Sequence, residues 1–516
     1  MIKEKTGDKN SIIEKYYLSE DVHFNENGNK AVAEKILKKI KLNIFYKYLE
    51  ACNKNLHYYY LIFILLYSFL YIFITPPFGS PDEHNHFRKA SNVEKIYLNG
   101  QLKIDENIQN FSEEIKNDLF NNKKINLKKY LELNEKNIFS KKFEKADLAN
   151  LTGYPYYAYS LSKLGFTTSK VFTENILVSF YFGRIFNLFF FIVCSFALIK
   201  LNIGRDYFYT LLFLPTTLSL INSYSADSFI ISTTCLFAYF FLKDKKELSL
   251  NQILICNFFV LLICLIKPVY IFLNIIIFLY SKKYLKINLI INIFIIILLL
   301  IFFSNYPSMP IDNNLTKKYE IINYLIYNPI NTFKLIFLTL LIESKFYAYE
   351  FIGSVGHMLN INYYFNFYIL SLFLIIFLIL DNIEYSKKSF LTIAIIFTTV
   401  LALIMTIYLN TNTLDQYETI KNVKGRYFLI LFFFLSCAFN MGKKDITKDK
   451  KLLKFSILLF VLILSNIFYL ISLGSNIFFL LFSYLLVFKY FFKIFFKLLL
   501  PHFNIIILYS MYNYYY

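Results

Sequence analysis

Asp82 and Glu83 stand side by side behind a run of prolines, in the segment Thr75-Pro76-Pro77-Phe78-Gly79-Ser80-Pro81-Asp82-Glu83-His84-Asn85-His86-Phe87-Arg88-Lys89. It is the densest polar constellation in the chain. Adjacent carboxylates raise each other's pKa, which suits a general base taking a proton from a hydroxyl, and the same pair could hold a divalent cation such as magnesium or manganese. His86 could orient the pair, ligate a metal or cap the turn. The plainer reading of an arbitrary Asp-Glu pair is a solvated, capped turn.

Four more ionisable residues border apolar runs: Arg184, Asp227, Lys267 and Arg426. A charge left in hydrocarbon costs about 2.5 kcal/mol or more, so such residues are functional candidates by default. Cations there suit an anionic phosphate, which Arg can hold bidentately and Lys as a point charge. Snorkelling of the side chains to lipid headgroups is the alternative.

The elements that must position these residues are membrane helices. The chain has 516 residues, of which 57% are hydrophobic and only 17% charged. A soluble chain averages about 25% charged, so this one must place much of its surface in lipid. The 60 Phe and 44 Tyr beside no Trp and 13 Gly look like an A/T-rich coding bias, and aromatic richness is discounted as a functional sign. The six cysteines lack zinc or disulfide spacing and read as small core hydrophobes.

A helix crossing the hydrocarbon needs about 20 mostly apolar residues. The clearest runs are 58–75, 175–199, 207–222, 228–242, 250–266, 286–303, 362–380, 389–408, 426–440, 455–472 and 474–488, with a short one at 268–280 after Lys267-Pro268. The expectation is an all-α polytopic protein with about twelve spans. Placing the N-terminus in the cytoplasm puts the Lys/Arg-rich short loops inside, provided that 331–342 is re-entrant or interfacial. Residues 58–75 then act as an uncleaved signal anchor, and 76–174 form a large external segment containing an amphipathic helical stretch at 111–120. Asp227, Arg184, Lys267 and Arg426 fall at or near external helix ends. Most of the +19 net charge faces the anionic inner leaflet. That placement removes the reason to invoke nucleic acid.

Seven short motifs, in order, resemble a bacterial membrane-protein family, domain of unknown function 2142 (DUF2142). They are Pro81-Asp82-Glu83-x-x-His86-Phe87, Gly153-Tyr154-Pro155-Tyr156-Tyr157-Ala158, Gly183-Arg184-Ile185-Phe186-Asn187, Ser223-Tyr224-Ser225-Ala226-Asp227, Ile266-Lys267-Pro268-Val269-Tyr270, Ile352-Gly353-Ser354-Val355-Gly356 and Val423-Lys424-Gly425-Arg426-Tyr427-Phe428. The match covers roughly residues 60–440. His84-Asn85 departs from the family pattern, in which a proline often comes first. The resemblance implies a fold like that of the C-class glycosyltransferases (GT-C), which use polyprenyl-phosphate sugars, in the bacterial inner membrane with an external active face. It implies Asp82, Glu83 and His86 as the catalytic group, and Arg184, Lys267, Arg426 and Arg88 as the donor-phosphate group. Tyr154, Pro155, Tyr157 and Asp227 would contact substrate, the tyrosines by stacking on sugar faces. The partners would be membrane lipids, a polyprenyl-phosphate-linked sugar and a glycan or glycolipid acceptor.

Residues 1–56 differ in character. The stretch from Leu18 to Glu34 resembles the final block of the SGNH (GDSL-like) hydrolases, with Asp21 and His23 at the positions of the triad's acid and base. The upstream nucleophile block is missing, and a His without its nucleophile cannot run acyl transfer. The expected organisation is therefore a cytoplasmic remnant at 1–56, a family-like membrane domain at 57–440, and a basic loop, last spans and tail at 441–516. A flippase or transporter, a polysaccharide polymerase and a non-catalytic scaffold are the competing functions. A transporter should show repeat symmetry or broken helices near the midplane.

Overall fold

A computed structural model describes residues 29, 32, 56–91, 103–120, 143–145, 154–171, 173–201, 205–243, 247–305, 315–353, 387–411, 419–420, 423–440 and 466. Asp21, His23, His357 and the runs 362–380, 455–472 and 474–488 lie outside the described residues. The chain divides into two compact units. One comprises 1–60, 447–454 and 491–516; the other, 61–446 with 455–490, carries everything that follows.

The apolar runs form helices, broken where the sequence supplies proline. Helix α1 (Leu56–Ile74) ends before Pro76-Pro77, and α2 (Glu83–Ser91) restarts the chain beyond the turn. The external segment contributes a two-stranded antiparallel ladder, β1 (Lys103–Asp105) with β2 (Phe143–Lys145), and α3 (Glu106–Phe120). The amphipathic spacing expected there is realised: Ile108, Phe111 and Ile115 are buried on one face of α3.

A 3-10 turn at Tyr156–Tyr159 leads into α4 (Ser160–Ser169), which packs on the long α5 (Ile176–Lys200). Their approach depends on glycine: a Cβ on Gly165 would lie 2.5 Å from the Phe182 carbonyl oxygen. The next run, expected as one span at 207–222, is instead two short helices, α6 (Arg205–Leu212) and α7 (Pro215–Ile221). Pro215 has no N–H to continue the ladder, and the Thr217 hydroxyl donates to the Leu211 carbonyl at the break, 2.6 Å. Helix α8 (Ala226–Leu242) follows at 109° to α7.

Helix α9 (Leu250–Ile266) opens on a capping box, with Ser249 and Gln252 satisfying each other's backbone N–H. It stops at Lys267, which precedes Pro268 and is extended at φ −133°, ψ 93°. The short span expected at 268–280 is accordingly a 3-10 stretch (Pro268–Leu273) running into α10 (Asn274–Leu279). Beyond it α11 (Leu285–Asn305) is tied to α9 by a buried amide relay: Asn257 Nδ2 donates to Asn288 Oδ1 at 2.9 Å, and Asn288 Nδ2 to Ser281 Oγ at 3.0 Å.

Helices α12 (Leu315–Tyr327) and α13 (Pro329–Ile342) meet at 102°, a bent pair over the stretch expected to be re-entrant or interfacial. They are followed by α14 (Ser344–Gly353), α15 (Lys387–Thr411), a 3-10 turn at Gly425–Tyr427 and α16 (Phe428–Asn440). Among the described residues three helices, α5, α11 with its preceding turn, and α15, are long and apolar enough to cross a membrane, or up to five spans if each bent pair counts as one.

Candidate functional site

The turn after α1 decides where the two adjacent carboxylates go. Phe78 and Asp82 both occupy the left-handed region, at φ 63° and 57°, which is costly for side chains bearing a Cβ. Phe78 is held there by the rings of Phe87, Phe111 and Phe180, with centroids at 5.5, 5.7 and 5.2 Å. The Asp82 carbonyl accepts the N–H groups of Asn85 and His86, so the strained residue also starts α2. Asp82 is half-exposed, while Glu83, one residue on, is completely buried.

Glu83 is fixed by Arg184 of α5. Arg184 Nε donates to Glu83 Oε1 at 3.0 Å and Nη2 to Oε2 at 2.7 Å. Nη1 reaches the carbonyls of Ile72 (2.9 Å) and Thr75 (2.8 Å), and Nη2 that of Pro76 (3.0 Å). A guanidinium has five N–H donors, and these contacts use all of them. The Tyr224 N–H adds a further bond to Glu83 Oε1 at 2.9 Å. Arg184 therefore caps the open carbonyls of α1 and neutralises a buried acid, and in this arrangement it keeps no donor for a phosphate.

On the exposed side of the turn, charges from four distant segments converge. Arg426 Nη2 lies 3.2 Å from Asp82 Oδ2, and its Nε 3.6 Å from Asp227 Oδ2. Lys267 pairs with the other oxygen of Asp227. Each has a local reason to be there. Asp227 sits in the first turn of α8, where a carboxylate is favoured, and its N–H donates to the capping Ser225 hydroxyl. Lys267 is the C-cap of α9, and Tyr270 reaches across from the following 3-10 stretch to donate to the Tyr427 carbonyl at 2.8 Å. Thus the Lys-x-x-Tyr and Gly-Arg-Tyr motifs meet. The Lys267 ammonium lies 4.1 Å from the Tyr427 ring centroid and 5.9 Å from that of Tyr154.

Two acids and two cations cancel, yet the cations are underused. Among the described residues, Lys267 and Arg426 each donate one hydrogen bond, to Asp227 and Asp82 respectively. Arg426 Nε is buried with no hydrogen-bond partner. His86 borders the cluster: its Nδ1 is 2.6 Å from the Tyr159 hydroxyl and its ring stacks on Tyr154 at 5.9 Å. Burial lowers its pKa to about 4, against the opposing pull of Asp82 and Asp227, so the imidazole is neutral at pH 7. His84 is likewise lowered to about 4, by burial and then by Lys116 and Arg88.

Of the residues singled out from the sequence, the structure brings together Asp82, His86, Tyr154, Asp227, Lys267 and Arg426, and separates others from them. Arg88 turns to the external segment, donating to Ser112 Oγ at 2.6 Å and Glu113 Oε1 at 3.1 Å. Pro155 is buried ahead of the 3-10 turn, and Tyr157 is pinned through its hydroxyl to the Leu262 carbonyl at 2.7 Å. Lys89 donates to the Tyr154 carbonyl and lies over the Tyr156 ring; burial lowers its pKa to about 8. Asp82 and Glu83 diverge, so they do not fit one cation as a pair, and among the described residues no three His, Cys, Asp or Glu side chains group as metal ligands.

Sequence reasoning missed Glu350, which accepts the Gly425 N–H on Oε2 at 2.7 Å and pairs with Lys424 at 3.4 Å. Its signal was available: an acid within the apolar stretch 346–352. Tyr159 and Tyr427 were also missed, because nothing marks them among so many tyrosines.

Comparison with known proteins gives a family model, described as Predicted membrane protein (DUF2142), that matches residues 65–435. No curated protein and no solved structure matches the chain.

Proposed function

For a chain that belongs to the DUF2142 family of predicted membrane proteins, we propose an integral membrane glycosyltransferase that moves a sugar from a polyprenyl-phosphate donor to a cell-surface glycan or glycolipid. The reaction takes place on the external face of the inner membrane. The observation that carries this reading is the convergence of Lys267 and Arg426, with donor capacity unspent, on the half-exposed Asp82. The same reading places the chain in the membrane with about twelve spans, a GT-C-like arrangement, a cytoplasmic N-terminus and a hydrolase-like remnant at 1–56.

In the proposed mechanism Asp82 takes the proton from the acceptor hydroxyl as that oxygen attacks the anomeric carbon. The bond from that carbon to the phosphate oxygen breaks, and Lys267 and Arg426 neutralise the departing polyprenyl phosphate as its charge develops. Asp227 holds both cations at the distance a phosphate needs. Neutral His86 steers the Tyr154 ring, which offers a stacking face to the sugar. Glu83 and Arg184, first expected in catalysis and donor binding, serve here as the scaffold that fixes the turn.

The helix breaks at Pro215, at 222–225 and at Pro268 favour a second reading, a flippase for a lipid-linked glycan, since broken helices with exposed ends are a transporter feature. One experiment separates the two. Purified protein in detergent is given polyprenyl-phosphate sugars and a glycan acceptor, and the wild type is compared with Asp82→Asn and Arg426→Ala. Transfer by the wild type that both substitutions remove supports the transferase. Transfer that survives both substitutions sinks it, and movement of lipid-linked glycan across vesicles without transfer favours the flippase.

A further inference from the structure

We infer that Glu350 is a positioning residue for the phosphate-binding arginine. The inference rests on the proposed donor site, and Glu350 itself touches no ligand. Arg426 stands on a three-residue 3-10 turn, too short to hold a guanidinium between two carboxylates by its own hydrogen bonding. The turn is held from outside. Glu350 Oε2 takes the Gly425 N–H at 2.7 Å, immediately before Arg426, and Oε1 pairs with the Lys424 ammonium at 3.4 Å.

The contact is close because residue 425 is glycine: a Cβ there would lie 1.9 Å from the Tyr347 carbonyl oxygen and 2.9 Å from the Phe351 nitrogen. Two further bonds extend the seam. Thr339 Oγ1 accepts the Ile420 N–H at 2.9 Å, and Thr419 donates to Glu343 at 3.1 Å. The segment 339–350 thus straps 419–425 along its length. Glu350 adds a link on its other side, where its carbonyl accepts the Thr216 hydroxyl at 2.9 Å. Thr216 lies on α7, which leads through the turn into Asp227. One buried acid therefore ties the Arg426 turn to the element that delivers Asp227, the two partners whose separation sets the anion slot.

The test uses the full chain in detergent and two measurements. The first is binding of radiolabelled decaprenyl phosphate, with inorganic phosphate as comparator, to the wild type, Glu350→Ala, Glu350→Gln, Arg426→Ala and the double variant Glu350→Ala/Arg426→Ala. Glu350→Ala should weaken binding about tenfold, the scale of a lost charge-assisted hydrogen bond. Glu350→Gln should recover most of it, because an amide oxygen still accepts the Gly425 N–H. In the Arg426→Ala background the Glu350 change should cost nothing more, since a residue acting through Arg426 has nothing left to act on. The second measurement is amide exchange without ligand, which should quicken over 419–430 in Glu350→Ala and slow again in Glu350→Gln.

Losses that multiply in the double variant, or unchanged exchange over 419–430, overturn the inference. Faster exchange spread over the whole chain marks general unfolding and overturns it as well. If exchange behaves as stated while the wild type binds neither decaprenyl nor inorganic phosphate, the donor reading fails and Glu350 stands as the anchor of the turn.

Discussion

Replacing Asp82 by Asn should move binding and turnover in opposite directions. The carboxylate is the hydrogen-bond acceptor of Arg426, at 3.2 Å, and its side chain is 49% exposed. An anionic phosphate that uses Arg426 must compete with it. Water screens a pair this exposed, and such pairs contribute about 0.2–1 kcal/mol. Removing the competitor should then tighten polyprenyl-phosphate binding by about 1.4- to 5-fold. Asn keeps the size of the side chain and the N-cap geometry, so the strained turn persists. Loss of a general base costs about 10²- to 10⁴-fold in rate, so transfer should fall by that much in the variant that binds its donor lipid better. Decaprenyl phosphate binding at two salt concentrations, beside single-turnover transfer from a polyprenyl-phosphate sugar, checks both arms; the affinity gain should shrink as salt screens the pair. Weaker binding by Asp82→Asn would refute the competition, and undiminished transfer would refute the base.

Arg184→Ala should destabilise the protein by about 3–5 kcal/mol, because it strands a buried carboxylate and uncaps three carbonyls of the first helix and its turn. Thermal unfolding in detergent reads this, and a full loss of donor binding at unchanged stability would return Arg184 to the ligand site. The depressed pKa of His86, about 4 against 6.5, means the folded state binds fewer protons than the unfolded one between those values. His86 therefore withdraws stability as pH falls from about 6.5 to 4, and His86→Gln should flatten the acid limb of an unfolding titration; an unchanged limb counts against a neutral His86. For orientation, Asn117→Cys should react with an impermeant maleimide on intact cells and Lys243→Cys only after permeabilisation. Background is low because Cys194, Cys235, Cys256, Cys264 and Cys437 are buried. The reverse pattern would overturn the topology and the site with it.

Much of the helical frame was legible because it depends on local chemistry. Apolar length specifies α5, α11 and α15, the 3.6-residue period specifies α3, and Pro76 and Pro268 end α1 and α9 where the sequence says they must. Pro215 carried the same signal within the run 207–222, but hydrophobicity alone masked it. The cations Lys267 and Arg426 and the acid Asp227 were readable as helix-end charges. Glu350 was not, since its role comes from how closely Gly425 approaches Tyr347, a contact between segments 75 residues apart.

By itself the sequence determined a membrane protein with its ionisable residues gathered behind the first helix and at the ends of later ones, because hydrocarbon tolerates little else. Only the tertiary structure decided between the two neighbours Asp82 and Glu83. Their separation follows from a left-handed backbone at Asp82 and from the packing of α5, which buries Arg184 against Glu83 across 101 residues of chain. Adjacent in sequence, one acid became part of the scaffold and the other faces the cations, because burial and partner choice depend on contacts that no local pattern records.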